Sequence, residues 1–157
     1  MVYTYSLQGT IKFFLKRAVR DSGVASVNGI HTNIRWTVLP EALPLSLGFP
    51  EPITGDSGNG AHLLYRIDLA NDEPATLRVQ GCLAAFDAIF SNDRVSVDTA
   101  NFNAGRLWKL YGTVSRKGDD TPDRPHRRSR IIAAPNVPEI TAPDQLQDLA
   151  GRLPNEV

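Results

Sequence analysis

Residues 56–69 read DSGNGAHLLYRIDL, and a turn meets a strand there. The first five, Asp56, Ser57, Gly58, Asn59 and Gly60, are residue types that tolerate the positive φ of a tight reversal. From Gly60 the chain alternates. Leu63, Tyr65, Ile67 and Leu69 fall on one side of an extended chain, and His62, Leu64, Arg66 and Asp68 on the other. This predicts a half-buried strand with one polar face. Ile53 and Thr54 supply a short strand leading into the turn.

C-terminal to this strand, Asn71 or Asp72 can cap a helix with Pro74 in its first turn. Val79, Leu83, Phe86 and Phe90 recur at helical spacing and predict its buried stripe. Gly81 is a weak point within it. Residues 94–98 alternate again, with Val95 and Val97 inward and Arg94, Ser96 and Asp98 outward. A strand–helix–strand unit predicts two parallel strands in one sheet. The helix then covers the Leu63 and Val95 side, and His62 and Asp98 share the opposite one.

Residues 106–114 (RLWKLYGTV) predict another strand, residues 115–130 a polar loop and residues 130–133 a last short strand. Pro135, Pro138 and Pro143 mark a linker, and residues 142–152 a short helix carrying Leu146 and Leu149 and ended by Gly151. N-terminal to the turn the pattern is poorer. Residues 10–20 (TIKFFLKRAVR) place Ile11, Phe14, Leu15 and Ala18 on one helical face. They predict a surface helix facing the core, with a basic helix touching nucleic acid or membrane as the alternative. Residues 22–33 predict a loop, and residues 34–39 a strand stopped by Pro40.

The chain has 157 residues, one domain's worth, with an ordinary globular composition and zero formal net charge. Charge is unevenly spread. Arg116, Lys117, Arg124, Arg127, Arg128 and Arg130 face only Asp119, Asp120 and Asp123 over one short segment. Cys82 is the single cysteine, which excludes an internal disulfide. No apolar run approaches the roughly 20 residues of a transmembrane helix, and the N-terminus lacks signal-peptide order. The expectation is a cytoplasmic protein with no membrane partner.

Three features carry chemistry. The Ser57–Gly60 turn and His62 suit phosphate binding, because glycine amides approach a phosphate closely and an imidazole can donate to it. A plain hairpin turn beside a surface histidine is the competing reading. Asp98, at a strand end, suits a hard cation such as Mg²⁺ or Mn²⁺, or equally a cap or ion pair. Arg106, Lys109 and Lys117 supply cations for a triphosphate or a nucleic-acid backbone, or line a solvated loop. Gly55-Asp56-Ser57-Gly58 also spells the nucleophile segment of trypsin-like proteases. That chemistry needs a histidine and a buried aspartate upstream, and Asp56 is the only aspartate between His31 and Ser57.

SGNGAHLLYRIDL followed by VDTANFNAGRLWKLYGTVSRKGDDTPDRPHRRSR closely resembles the bifunctional primase–polymerase domains of the archaeo-eukaryotic primase superfamily. The best resemblance is to those of phage, plasmid and other mobile-element replication proteins. It spans residues 47–134, between a poorly defined segment (1–46) and a Pro-rich linker with a short helix (135–157). It implies an α/β (α+β) fold: an RRM-like mixed sheet with helices on one face, forming a partial primase–polymerase catalytic core. It implies template-directed nucleotidyl transfer from NTPs or dNTPs onto a primer on single-stranded DNA, with Mg or Mn as cofactor and a replicative helicase as a candidate partner. By this resemblance His62 and Asp98 are catalytic and Asp98 holds metal. Ser57, Gly58, Asn59, Gly60, His62, Arg106, Lys109 and Lys117 hold nucleotide phosphates. The family's first motif, a paired Asp-x-Asp, is missing, since residues 1–55 contain only Asp21. The expectation is therefore a truncated core, inactive or feeble alone. The alternative is a non-catalytic nucleotide or single-stranded nucleic-acid binding remnant.

Overall fold

A computed structural model describes residues 10–17, 48–58, 60–92, 95–105, 110–116, 118–122 and 125–152. They form a mixed α/β structure with a mixed sheet and two helices. The elements are β1 (Thr10–Arg17), β2 (Ile53–Asp56), β3 (Gly60–Ile67), α1 (Glu73–Phe90), β4 (Val95–Val97), β5 (Val114–Ser115), β6 (Arg127–Arg128), β7 (Arg130–Ala133), β8 (Ile140–Thr141) and α2 (Pro143–Ala150).

The main sheet runs β4-β1-β3-β2-β7. β3 pairs antiparallel with β1 through seven residues, from Arg66 opposite Thr10 to Gly60 opposite Lys16. On its other edge it pairs antiparallel with β2, then parallel with β8 at Arg66 and Ile67. β1 also pairs antiparallel with β4. β3 and β4 are therefore parallel, as the strand–helix–strand pattern predicts, with β1 inserted between them.

The helix forms where capping and periodicity agree. Asp72 accepts a hydrogen bond from the Ala75 amide at 2.9 Å, and Pro74 occupies the first turn. Val79, Cys82, Leu83, Ala85 and Phe86 are buried, and they pack with Ala61, Leu63, Tyr65 and Ile67 of β3 and Val97 of β4. Phe90 joins from the margin. At the helix end the Ser91 hydroxyl donates to Asp87 and accepts from the Val97 amide at 2.9 Å, which ties α1 to β4. Leu146 and Leu149 of α2 complete the core. Gly81 has a packing reason: a Cβ there would lie 3.0 Å from that of Ala150, so the glycine lets α2 come close.

Several expectations are corrected. Residues 10–17 are a strand, not a helix. Ile11 and Leu15 satisfy both periodicities, but Thr10, Ile11, Phe13 and Phe14 are β-branched or aromatic, and seven registered pairs with β3 decide the matter. Of the strand expected at 106–114, the described part is a turn at Tyr111–Gly112 followed by the two-residue β5. Gly112 takes a φ of +88°, which an extended strand does not accommodate. The expected loop 115–130 contains β6, which pairs with β5, and the expected linker contains β8. The expected strand at 34–39 lies outside the described residues.

Two measurements check this core. Phe86→Ala should cost about 3–5 kcal/mol in urea unfolding, whereas exposed Leu77→Ala should stay within roughly 0.5 kcal/mol. Burial pushes the Cys82 thiol up to about 12, and its Sγ donates to the Leu146 carbonyl at 3.1 Å. A thiol reagent should therefore label it only on unfolding; equal rates in buffer and in urea would contradict this packing.

Candidate functional site

The β2–β3 hairpin is built on Asp56. Its Oδ1 accepts from the Gly58 amide at 2.7 Å, and the Ser57 amide and hydroxyl both donate to the Gly60 carbonyl, at 2.9 and 3.0 Å. These bonds close the reversal between the strands. Gly58 has a φ of +83°, and a Cβ there would meet the Arg127 carbonyl at 2.8 Å. Both facts require glycine. The amides of Ser57 and Gly58 thus donate within the turn, while its buried outer side rests on the β5–β6 hairpin. Asn59 lies outside the described residues.

His62 stands opposite Gly55 in the β2–β3 register. It is buried, with 4% of its surface exposed, where the alternation predicts a surface position. The cause is Tyr111, whose ring meets the imidazole edge-on with centroids 5.7 Å apart. The Tyr111 hydroxyl lies 2.6 Å from His62 Nδ1. Tyr111 occupies the space that a side chain at position 55 would fill, since a Cβ on Gly55 would come within 2.5 Å of its hydroxyl. Burial first, and then the Asp56 carboxylate, push the phenol well above its ordinary range, so it stays protonated.

Ser129 holds the Tyr111 turn in place. It is fully buried. Its amide and hydroxyl donate to the Thr113 carbonyl at 2.9 and 3.0 Å, its hydroxyl also reaches the Leu110 carbonyl at 3.2 Å, and its own carbonyl accepts from the Gly112 amide at 2.8 Å. On either side of it Arg128 and Arg130 are exposed, as are Arg127 and Arg116. Arg128 donates to the Gly112 carbonyl, and Arg130 Nε stands 3.8 Å from Asp56 Oδ2. Arg130, beside Asp56, and Arg127, whose backbone lies against Gly58, therefore border the hairpin that carries His62.

The register also brings Asp98 level with His62. β1 pairs Leu15 with both Ala61 and Val97, and Phe14 with His62. Asp98 follows Val97 directly, so it stands beside that row, two strand spacings or roughly 10 Å from His62. Val97 belongs to the core under α1, so the pleat turns Asp98 to the other face. Its Oδ1 accepts from the Ala100 amide at 3.2 Å.

Among the described residues no three His, Cys, Asp or Glu side chains gather to hold a metal ion. Asp56 is engaged by Gly58 and Arg130, and Asp98 caps its own turn. Among the described residues these two carboxylates fall short of the set that would hold a pair of ions about 4 Å apart. Arg106, Lys109 and Lys117 lie outside the described residues. No helix among the described residues is long and apolar enough to cross a membrane.

Tyr111 and Ser129 were not singled out from the sequence, and Gly55 was read only within the protease-like Gly55-Asp56-Ser57-Gly58 motif. Their signals were present. A glycine inside a strand marks a close approach, Tyr-Gly marks a turn, and Arg128-Ser129-Arg130 alternates out, in, out.

Gly55→Ala tests the geometry. The added methyl should expel the Tyr111 ring and break its bond to His62 while the β2–β3 pairing survives, at a cost of about 1–3 kcal/mol. Loss of the His62–Tyr111 contact in NMR spectra, with strand amide shifts retained, is the expected result.

Compared with protein-family models, curated proteins and solved structures, the chain matches none.

Proposed function

We propose that this chain is a primase–polymerase-like replication protein whose RRM-like sheet presents a face for nucleotide phosphates and single-stranded DNA. One observation carries the reading: parallel β3 and β4, joined by α1 and separated by β1, stand His62 level with Asp98 on the side away from α1. The exposed arginines 116, 127, 128 and 130 support it, because they can neutralise a polynucleotide backbone without reading bases. In this reading His62 addresses the phosphates of an NTP or dNTP, the arginines hold template or primer, and Asp98 is the carboxylate that faces the nucleotide.

A second reading, a binding module without catalysis, is favoured by the engagement of Asp56 and Asp98 in turn and ion-pair contacts. The two readings share the binding face and differ in turnover. The proposal accordingly includes turnover that is absent or feeble in the isolated chain.

Fluorescence anisotropy with a short single-stranded oligonucleotide tests the face. Affinity should fall with salt with a log–log slope of about −3, as roughly four phosphate contacts on a single strand predict. Arg127→Ala should flatten that slope by nearly one contact. His62→Ala should weaken NTP binding about tenfold, the loss expected for one hydrogen bond to a charged group. Absence of both NTP and oligonucleotide binding at low salt would remove the proposal. Metal-dependent primer extension that Asp98→Ala abolishes would overturn its low-turnover part and dismiss the second reading.

A further inference from the structure

We infer that Tyr111 is the positioning residue for His62: its phenol donates to Nδ1 and commits the ring to the tautomer with its proton on Nε2, the form in which the imidazole offers an N–H donor suited to an oxyanion and no lone pair. The inference rests on the phosphate-binding reading for its ligand, but its core is independent of it.

The hydrogen bond between the two side chains could in principle run either way, because a hydroxyl both donates and accepts. The surroundings of Tyr111 decide the direction. His62 Nδ1, at 2.6 Å, is the hydrogen-bond partner that the structure gives the hydroxyl. A half-buried phenol does not leave its proton without an acceptor when a ring nitrogen stands this close. Were Nδ1 the donor, the phenolic hydrogen would need another acceptor, and among the described residues the structure pairs the hydroxyl with His62. Asp56 is the carboxylate whose charge bears on the phenol, and its Oδ1 accepts from Gly58 while its Oδ2 faces Arg130. Its negative charge, with the burial, also keeps the phenol protonated and so able to donate.

The arrangement is built to hold this direction. Gly55 leaves the space in which the hydroxyl sits. Ser129 clamps Leu110, Gly112 and Thr113 on both sides of Tyr111 through its hydroxyl, amide and carbonyl. The edge-on ring contact fixes the plane of the imidazole. A histidine whose Nδ1 accepts carries its proton on Nε2, and that nitrogen then lacks the lone pair a cation would need. The same device orients metal-bound histidines, but there the partner accepts from the ring. Here it donates, and the sign of the site is reversed, from cation ligand to anion donor.

The test is a long-range proton–nitrogen correlation spectrum of the histidine rings in the whole chain, with inorganic tripolyphosphate as the anion probe and Mn²⁺ alone as the cation probe. In the wild type His62 should show a protonated Nε2 and an unprotonated Nδ1. In Tyr111→Phe, which keeps the ring and removes the donor, the two tautomers should mix, and tripolyphosphate should bind about tenfold more weakly. A His62 protonated on Nδ1 in the wild type, or a tautomer that Tyr111→Phe leaves unchanged, would overturn the assignment. So would selective broadening of His62 by Mn²⁺ alone. If the tautomer is as expected but tripolyphosphate leaves His62 unmoved, the phosphate-binding reading fails and the assignment of Tyr111 stands.

Discussion

Both edges of β3 are paired, one of its faces enters the core, and on the other Tyr111 packs against His62 while Arg66 is exposed; this constraint organises the molecule. Odd-numbered residues from Ala61 to Ile67 enter the core with α1 and α2. The even-numbered His62 turns to the other face and meets Tyr111. Because a strand has a period of two, these roles cannot slip independently. A shift of one residue would drive the imidazole under α1 and expose Leu63 and Tyr65. The apolar core therefore fixes the orientation of the polar site, and seven pairs with β1 fix its height in the sheet.

The site itself is held by backbone recognition more than by charge. Asp56 and Ser57 close their own turn, and Ser129 closes the turn that carries Tyr111. The two turns meet where Gly58 lies against the backbone of Arg127. The single ion pair described between them, Arg130 with Asp56, is largely exposed, and pairs of that kind contribute little. Small residues at 55 and 58 do what bulk cannot: they let two hairpins stand in contact.

Much of this was legible in the sequence where a single period ran without competition. The β3 strand, the Asp72 cap, the helical stripe from Val79 to Phe90 and the short strand at Arg130 stand where their patterns place them, but β3 is buried at His62 and Leu64 too, where the alternation predicts a polar face. Residues 10–17 misled because TIKFFLKR satisfies a helical face and a strand face at once, and only a partner strand arbitrates. The burial of His62 was illegible for a related reason. Its cover comes from residue 111, reached through a turn, and local periodicity carries no information about what will later pack above a strand. The alignment of His62 with Asp98 was legible because it needs only parity and a crossover helix.

The position of β1 has a consequence for how the chain is made. Among the described strands β1 comes first in the chain, and it lies between β4 and β3, which both follow it at a long distance. Its pairings with residues 60–67 and 95–97 close long loops, and that closure must precede any gain from those pairings. These two pairings therefore form late, and until then the apolar residues of segment 10–17 wait for β3 and β4. Lys12, Lys16 and Arg17, set among those apolar residues, give that waiting segment the charge that discourages its pairing with other nascent chains.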